Sequence, residues 1–271
     1  MELGRIMPST ARSAKAPLPH VRVASPADPA SWPPQKAWDD LAHDASTPNP
    51  FYERWFLLPA LTHLGGVEAV SLLCCESEGA LVGILPIVRR RSYYGHPLPH
   101  LAAWLHDNAF CGLPLVRCGF EEPFWRALLD WADHNAGSAL FLHLPQLPDD
   151  DALQAALRTV IRCTGRPAAI VQQSDRALLQ SDASPDEYFA AAMSAKKRKE
   201  LRRQHTRLAE LGTLAFERET TSDGISAWID EYLALEASGW KGRDGSALSQ
   251  HQANSALFRH ALTGSAERGR L

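Results

Sequence analysis

A mixed α/β fold is predicted by three observations. Between residues 18 and 175, short β-rich runs alternate with stretches whose apolar residues recur at helical spacing, and that alternation builds a sheet covered by helices. Gly, Pro and Asn fall between the runs, where turns are needed. The chain has 271 residues, 45% hydrophobic and 22% charged, a globular composition with length enough for a substantial core. The predicted organisation is a disordered tail at 1–17, an α/β domain at 18–175 and a second unit at 176–271.

In the first domain His20–Ala24 reads as the opening strand, and Ser31 with Pro33 and Pro34 leads into a helix ending near Ala45. Asn49-Pro50 caps the next helix, whose face Phe51, Trp55, Leu58 and Leu61 repeats at helical spacing up to Gly65-Gly66. Ala69–Cys75 and Ala80–Val88 are strands joined by the hairpin signal Glu76-Ser-Glu-Gly79. Strands follow at Leu101–Leu105 and Leu113–Val116. The amphipathic helix Glu121–Asn135 turns Phe124, Leu128, Leu129 and Ala132 inward and stops at Gly137. A short buried strand at Ala139–Leu144, an acid-led helix at Asp149–Cys163 and a closing strand at Ala168–Gln173 complete the domain.

The second unit opens with the capping box Ser184-Pro-Asp-Glu187. A helix from Ser194 to Gly212 follows, with Leu201, Leu208 and Leu211 on one face. Next come a strand at Thr213–Glu217 and a helix capped by Ser222 or Asp223 that presents Ile225, Trp228, Ile229, Tyr232 and Leu235 on one face. A last helix spans Gln250–Leu262, and Glu267-Arg-Gly-Arg-Leu271 reads as the start of a strand.

A net charge of −3 and an isoelectric point near 6.4 make strong basicity a local property, so no specific nucleic-acid partner is expected. No run reaches the roughly 20 apolar residues of a spanning helix. Five cysteines without a Cys-x-x-Cys pair fit reduced thiols in the cytoplasm. The histidines show no metal-ligand spacing, so no metal is expected. The nucleophile-elbow, P-loop and dinucleotide-binding patterns are all missing.

Two stretches carry the functional reading. The helix at 195–211 gathers Lys196, Lys197, Arg198, Lys199, Arg202, Arg203 and Arg207 around the single acid Glu200, and such a one-sided face suits an anion. Leu235–Leu248 ends a helix and starts a flexible loop in which Gly239, Gly242 and Gly245 alternate with Trp240, Lys241, Arg243 and Asp244. The glycines permit close backbone approach, the indole offers a flat face, and the cations offer donors. An ordinary inter-helix turn with Trp240 in the core competes with that reading, as does a simple solvated face for the helix.

In order and spacing, Ser194-Ala-Lys-Lys-Arg-Lys-Glu-Leu-Arg-Arg, then Arg207-Leu-Ala-Glu-Leu-Gly212, then Leu235-Glu-Ala-Ser-Gly-Trp-Lys-Gly-Arg-Asp-Gly-Ser-Ala247 resemble the GNAT-type acyltransferases called CelD-like, linked to cellulose or exopolysaccharide biosynthesis. These are similar in fold to the FemAB aminoacyltransferases. The match covers roughly residues 190–260. The resemblance implies two GNAT-like halves in tandem, the first complete. It also implies acyl transfer from a CoA or carrier thioester, with acetyl-CoA as co-substrate and no bound cofactor, to an amine or hydroxyl on a small-molecule or saccharide acceptor. Lys196, Lys197, Arg198, Arg202 and Arg203 become phosphate contacts, Trp240, Lys241 and Arg243 substrate contacts, and Glu236 the candidate base.

The family's Arg/Gln-x-x-Gly-x-Gly/Ala pyrophosphate loop does not occur in the sequence. The second half is therefore expected to be truncated, with no thioester turnover by the chain alone and with exposed surface around Ile225, Trp228 and Leu257. The alternative function is a noncatalytic accessory module that holds an anionic polymer on the basic helix.

Overall fold

The computed structural model describes residues 18–25, 27–65, 69–177, 179–219 and 221–271; the tail expected at 1–17 lies outside them. The described residues form a mixed α+β fold in two compact units, one of residues 18–167 with 221–271 and one of residues 168–219. The division falls elsewhere than residue 175, because 221–271 packs with the sheet.

The sheet grows from a hairpin. Strand β1 (His20–Ala24) pairs antiparallel with β2 (Ser71–Ser77), and β2 with β3 (Ala80–Arg90). The β2–β3 turn places Glu78 at φ 51° and Gly79 at φ 79°, the left-handed pair that a two-residue turn requires. Along its other edge β3 pairs with β4 (His100–Ala103) and, further back, with β5 (Leu115–Val116), both antiparallel. Pro86, with no N–H to donate, falls in the gap between those two pairings. Strand β6 (Leu142–His143) pairs parallel with β4 through Leu101–Leu142 and Ala102–His143. It is two residues long and half-buried, where a longer buried strand was expected.

Every residue of β3 from Leu81 to Val88 is buried, so helices cover both faces of the sheet. Helices α1 (Gln35–His43), α2 (Arg54–Leu64), α3 (Glu121–His134) and α4 (Ala152–Thr164) supply Trp38, Leu57, Phe124, Trp125 and Leu153 to the core. Gly83 is explained by α3, since a Cβ there would lie 2.4 Å from the Phe124 ring. The two fully buried indoles find acceptors: Trp38 Nε1 donates to the Tyr52 carbonyl at 3.0 Å and Trp125 Nε1 to that of Leu153 at 2.8 Å.

The helix expected from Asn49 is broken. Asn49 caps a single 3₁₀ turn, Pro50–Tyr52, and α2 restarts at Arg54 after an extended Glu53. The inward face is consequently Leu57, Ala60 and Leu61, a rotation away from Phe51, Trp55 and Leu58. Buried Asn49 explains the break, because its Nδ2 donates to the Leu113 carbonyl at 2.6 Å while its Oδ1 accepts from Phe51 N.

Within the second unit, α5 (Pro185–Ala192) carries the predicted Ser184–Glu187 capping box, and α6 (Ala195–Ala209) starts at Ser194, whose hydroxyl accepts from Lys197 N. The strands expected at Ala168–Gln173 and Thr213–Glu217 do not form. Ile170, Val171 and Phe216 are 66%, 65% and 89% exposed, because no partner strand in the unit pairs them. The apolar face of α6 is likewise unburied: Leu201 is half-buried, and Leu208 and Leu211 are exposed.

Returning to the sheet unit, α7 (Ile225–Ser238) begins at Gly224 with no side-chain cap, so neither Ser222 nor Asp223 fills that role. It buries Ile225, Ile229 and Leu233, while Trp228, Tyr232 and Leu235 stay exposed. After a single turn, α8 (Trp240–Arg243), helix α9 (Gln252–Ala266) packs against α2 and places Leu257 and Ala261 in the main core. Of the surface expected to be open, Ile225 and Leu257 are therefore buried and Trp228 is exposed.

The strand expected at 267–271 is instead a helix stop. Gly269 at φ 61° turns the chain, Arg270 N donates to the Ser265 carbonyl at 2.9 Å, and Leu271 packs beside Ile229 and Leu233.

Candidate functional site

The seven cations at 196–207 form a helix because Ser194 caps it and long side chains lose little freedom there. Two of them have structural work. Arg198 Nη1 donates to the Phe189, Ala190 and Met193 carbonyls at 3.4, 2.9 and 2.5 Å, closing the C-terminal end of α5. Arg203 grips Glu200 through two hydrogen bonds of 2.8 and 2.6 Å, holding that carboxyl below its ordinary range. Among the described residues Lys196, Lys197 and Arg202 make no side-chain hydrogen bond or ion pair, and all three are exposed. The anion face predicted from five residues thus contains three uncommitted cations.

The glycine segment is built, where a flexible loop was expected. Glu236, its side chain only 6% exposed, accepts from Lys241 Nζ at 2.7 Å and from Leu248 N at 2.8 Å. Lys241 above all, then the Leu248 amide, hold its carboxyl below the ordinary range. Between those anchors α8 lies against the end of α7 so closely that a Cβ on Gly242 would sit 1.7 Å from the Ala237 carbonyl oxygen. Gly245 turns back at φ 76°, and Gln250 Nε2 ties down the Gly242 carbonyl at 2.8 Å. Both oxygens of Glu236 are occupied, which suits a latch better than a proton acceptor. Lys241 is drawn to that latch, whereas Trp240, 61% exposed, and Arg243 project outward.

A third place was not foreseen. Beside the start of β4 and the end of the parallel β6, Tyr93, His100 and His143 line a cleft of about 300 Å³ with Arg90, Ala102 and Pro145. Tyr93 stands edge-on to His100, Phe141 and His143 at centroid distances of 5.2, 5.2 and 5.3 Å, and His100 stacks on Phe141 at 4.9 Å. The His100 Nδ1 lies 3.0 Å from the Leu98 carbonyl; a carbonyl only accepts, so Nδ1 carries the proton.

Burial lowers the His143 pKa, with His100 and Arg90 adding to the effect. Beside the cleft a second hollow of about 350 Å³ contains His106, which burial pushes down to about 4. The one available sequence signal was Arg89-Arg-Arg-Ser-Tyr-Tyr-Gly-His96 after an apolar strand. The folding of β6 beside β4 that completes the group is a long-range event.

Among the described residues no helix is long and apolar enough to cross a membrane, and no group of three His, Cys, Asp or Glu is placed to hold a metal ion. No curated protein and no solved structure matches the chain. Residues 195–271 match a family model described as Acetyltransferase (GNAT) domain, a segment that begins with the first residue of α6 and contains every site residue named from the sequence.

Proposed function

We propose that this protein takes part in acyl transfer from a CoA or carrier thioester, with acetyl-CoA as donor, to an amine or hydroxyl of a small-molecule or saccharide acceptor in the cytoplasm. The observation that carries the reading is the GNAT-domain match over residues 195–271. In that reaction the acceptor's lone pair attacks the thioester carbonyl, its proton passes to a base, and the thiolate leaves as the new amide or ester forms. The uncommitted Lys196, Lys197 and Arg202 contact the donor's phosphates. Arg203, already bonded to Glu200, adds a weaker contact, and Arg198 steadies the helix pair.

Trp240 and Arg243 face the substrate, Lys241 orients the turn, and Glu236 acts as a positioning residue. Five free cysteines support a reducing compartment, and the resemblance of residues 190–260 to CelD-like proteins supports a role in polysaccharide biosynthesis.

The exposed cations of α6 also favour a noncatalytic module for anionic polymers. Calorimetric titration of the full chain with acetyl-CoA and with a polyphosphate of equal charge separates the two. Saturable acetyl-CoA binding that exceeds polyphosphate binding supports acyl transfer. Equal, steeply salt-dependent binding of both means a polyanion module.

A further inference from the structure

We propose that His63 and His260 form a binding site for a divalent transition-metal ion of the zinc and copper class, which staples α9 to α2. This site is independent of acyl transfer, because it rests on two imidazoles and the helix packing beneath them. His63 Nε2 lies 2.8 Å from His260 Nδ1, with ring centroids 4.8 Å apart and planes tilted by 44°. The two residues are 197 positions apart in the chain, so only the docking of α9 on α2 makes them neighbours.

Two neutral imidazoles facing each other share one proton, donated by one nitrogen and accepted by the other. A metal ion takes the place of that proton. With metal–nitrogen bonds of about 2.0–2.1 Å, histidines in neighbouring coordination positions hold their nitrogens about 2.9–3.4 Å apart. The observed separation therefore needs a small opening, with a turn of the rings that brings both lone pairs onto one point. The displaced proton moves, by way of water, to the other nitrogen of its own ring, so both rings stay neutral. Burial, and then His260 itself, lower the His63 pKa, which keeps that ring in the neutral form a metal requires.

The frame that carries the pair is rigid. Leu61 of α2 and Leu257 and Ala261 of α9 are buried in one core, and a Cβ on Gly264 would lie 3.1 Å from the Trp55 Cβ, which leaves the two backbones little room to slide. At the rim of that seam His63 is half-buried and His260 exposed, so an ion reaches both from solvent. Among the described residues no group of three His, Cys, Asp or Glu is placed to hold a metal. The site accordingly supplies two protein ligands, and water fills the other positions. Paired imidazoles suit a borderline ion such as Zn²⁺ or Cu²⁺, whereas Mg²⁺ takes oxygen ligands.

The test is a titration of the metal-free full chain with ZnCl₂ and, separately, with MgCl₂, following the histidine ring signals by NMR and the affinity by calorimetry. Zn²⁺ is expected to shift the His63 and His260 signals together and saturably, and Mg²⁺ to shift neither. His63→Gln and His260→Gln should each weaken Zn²⁺ by at least about tenfold, while His43→Gln, at the exposed end of α1, should leave it unchanged. Zn²⁺ should also raise the melting temperature of the full chain more than that of either pair variant. Still signals with Zn²⁺, movement of one histidine without the other, equal shifts with Mg²⁺, an unchanged affinity in either pair variant, or an equal thermal gain in all three proteins would each overturn the proposal. The NMR shifts are read in the unaltered chain, so they decide the matter even where a variant fails to fold. None of these readouts involves thioester chemistry, so the acyl-transfer reading stands or falls separately.

Discussion

Trp240 and Glu236 are four residues apart and lead opposite lives. Trp240 is 61% exposed at the first position of α8, so Trp240→Ala should cost under about 1 kcal/mol, as an exposed position does. The fully buried Trp125→Ala should cost about 3–5 kcal/mol. Comparative denaturant melts check the contrast, and a core-sized loss for Trp240 would contradict its placement.

Glu236 is the internal anchor of the same turn, and its acidity gives a signed prediction. Its folded pKa is depressed, so its stabilisation is present above the ordinary carboxylate range and lost as pH falls through the depressed value. Glu236→Gln should therefore melt below the wild type at pH 7, with the gap closing as the solution is acidified below the ordinary value of 4.5. A gap that does not change with pH would mean that the charge is idle.

Among elements, Arg198 and Arg202 separate structural from uncommitted cations on one helix. Arg198 closes the end of α5, so Arg198→Ala should speed amide exchange at 189–193, and Arg202→Ala should leave it unchanged. Equal protection in both variants would show that α5 ends without help.

Elements whose signals are local were legible in the sequence. The alternation at His20–Ala24, the capping box at Ser184–Glu187 and the Glu78-Gly79 turn needed nothing from afar. Elements that depend on partners were not. The apolar runs at 168–173 and 213–217 read as strands, yet a strand needs a neighbour to bond its backbone. The inward face of α7 was misread because an all-round apolar sequence, Trp228 and Tyr232 included, leaves the choice of buried side to packing. The basic helix was legible as charge, but the engagement of Arg198 depended on where α5 ended.

At the scale of the whole molecule, the placement of 221–271 with the sheet unit has the largest consequence. Leu257, 3% exposed, sits in the same core as the sheet residues, although more than 80 residues separate it from the boundary expected near 175. Leu257→Ala should cost about 2–5 kcal/mol and lower the melting of the sheet core itself, as followed by its buried tryptophans. A sheet signal that melts unchanged would restore the boundary at 175. The aromatic and histidine cleft belongs to this scale too, since His100 and His143 become neighbours only when β6 returns to lie beside β4.

The central claim, that the uncommitted cations of α6 hold the phosphates of an acyl-CoA donor, is tested most directly by calorimetric titration of acetyl-CoA into the full chain and its Lys196→Ala, Lys197→Ala, Arg202→Ala triple variant. The expected result is an affinity about tenfold weaker in the triple variant, roughly 1.4 kcal/mol, with an unchanged melting temperature because all three side chains are exposed. Equal affinities in the two proteins would contradict it.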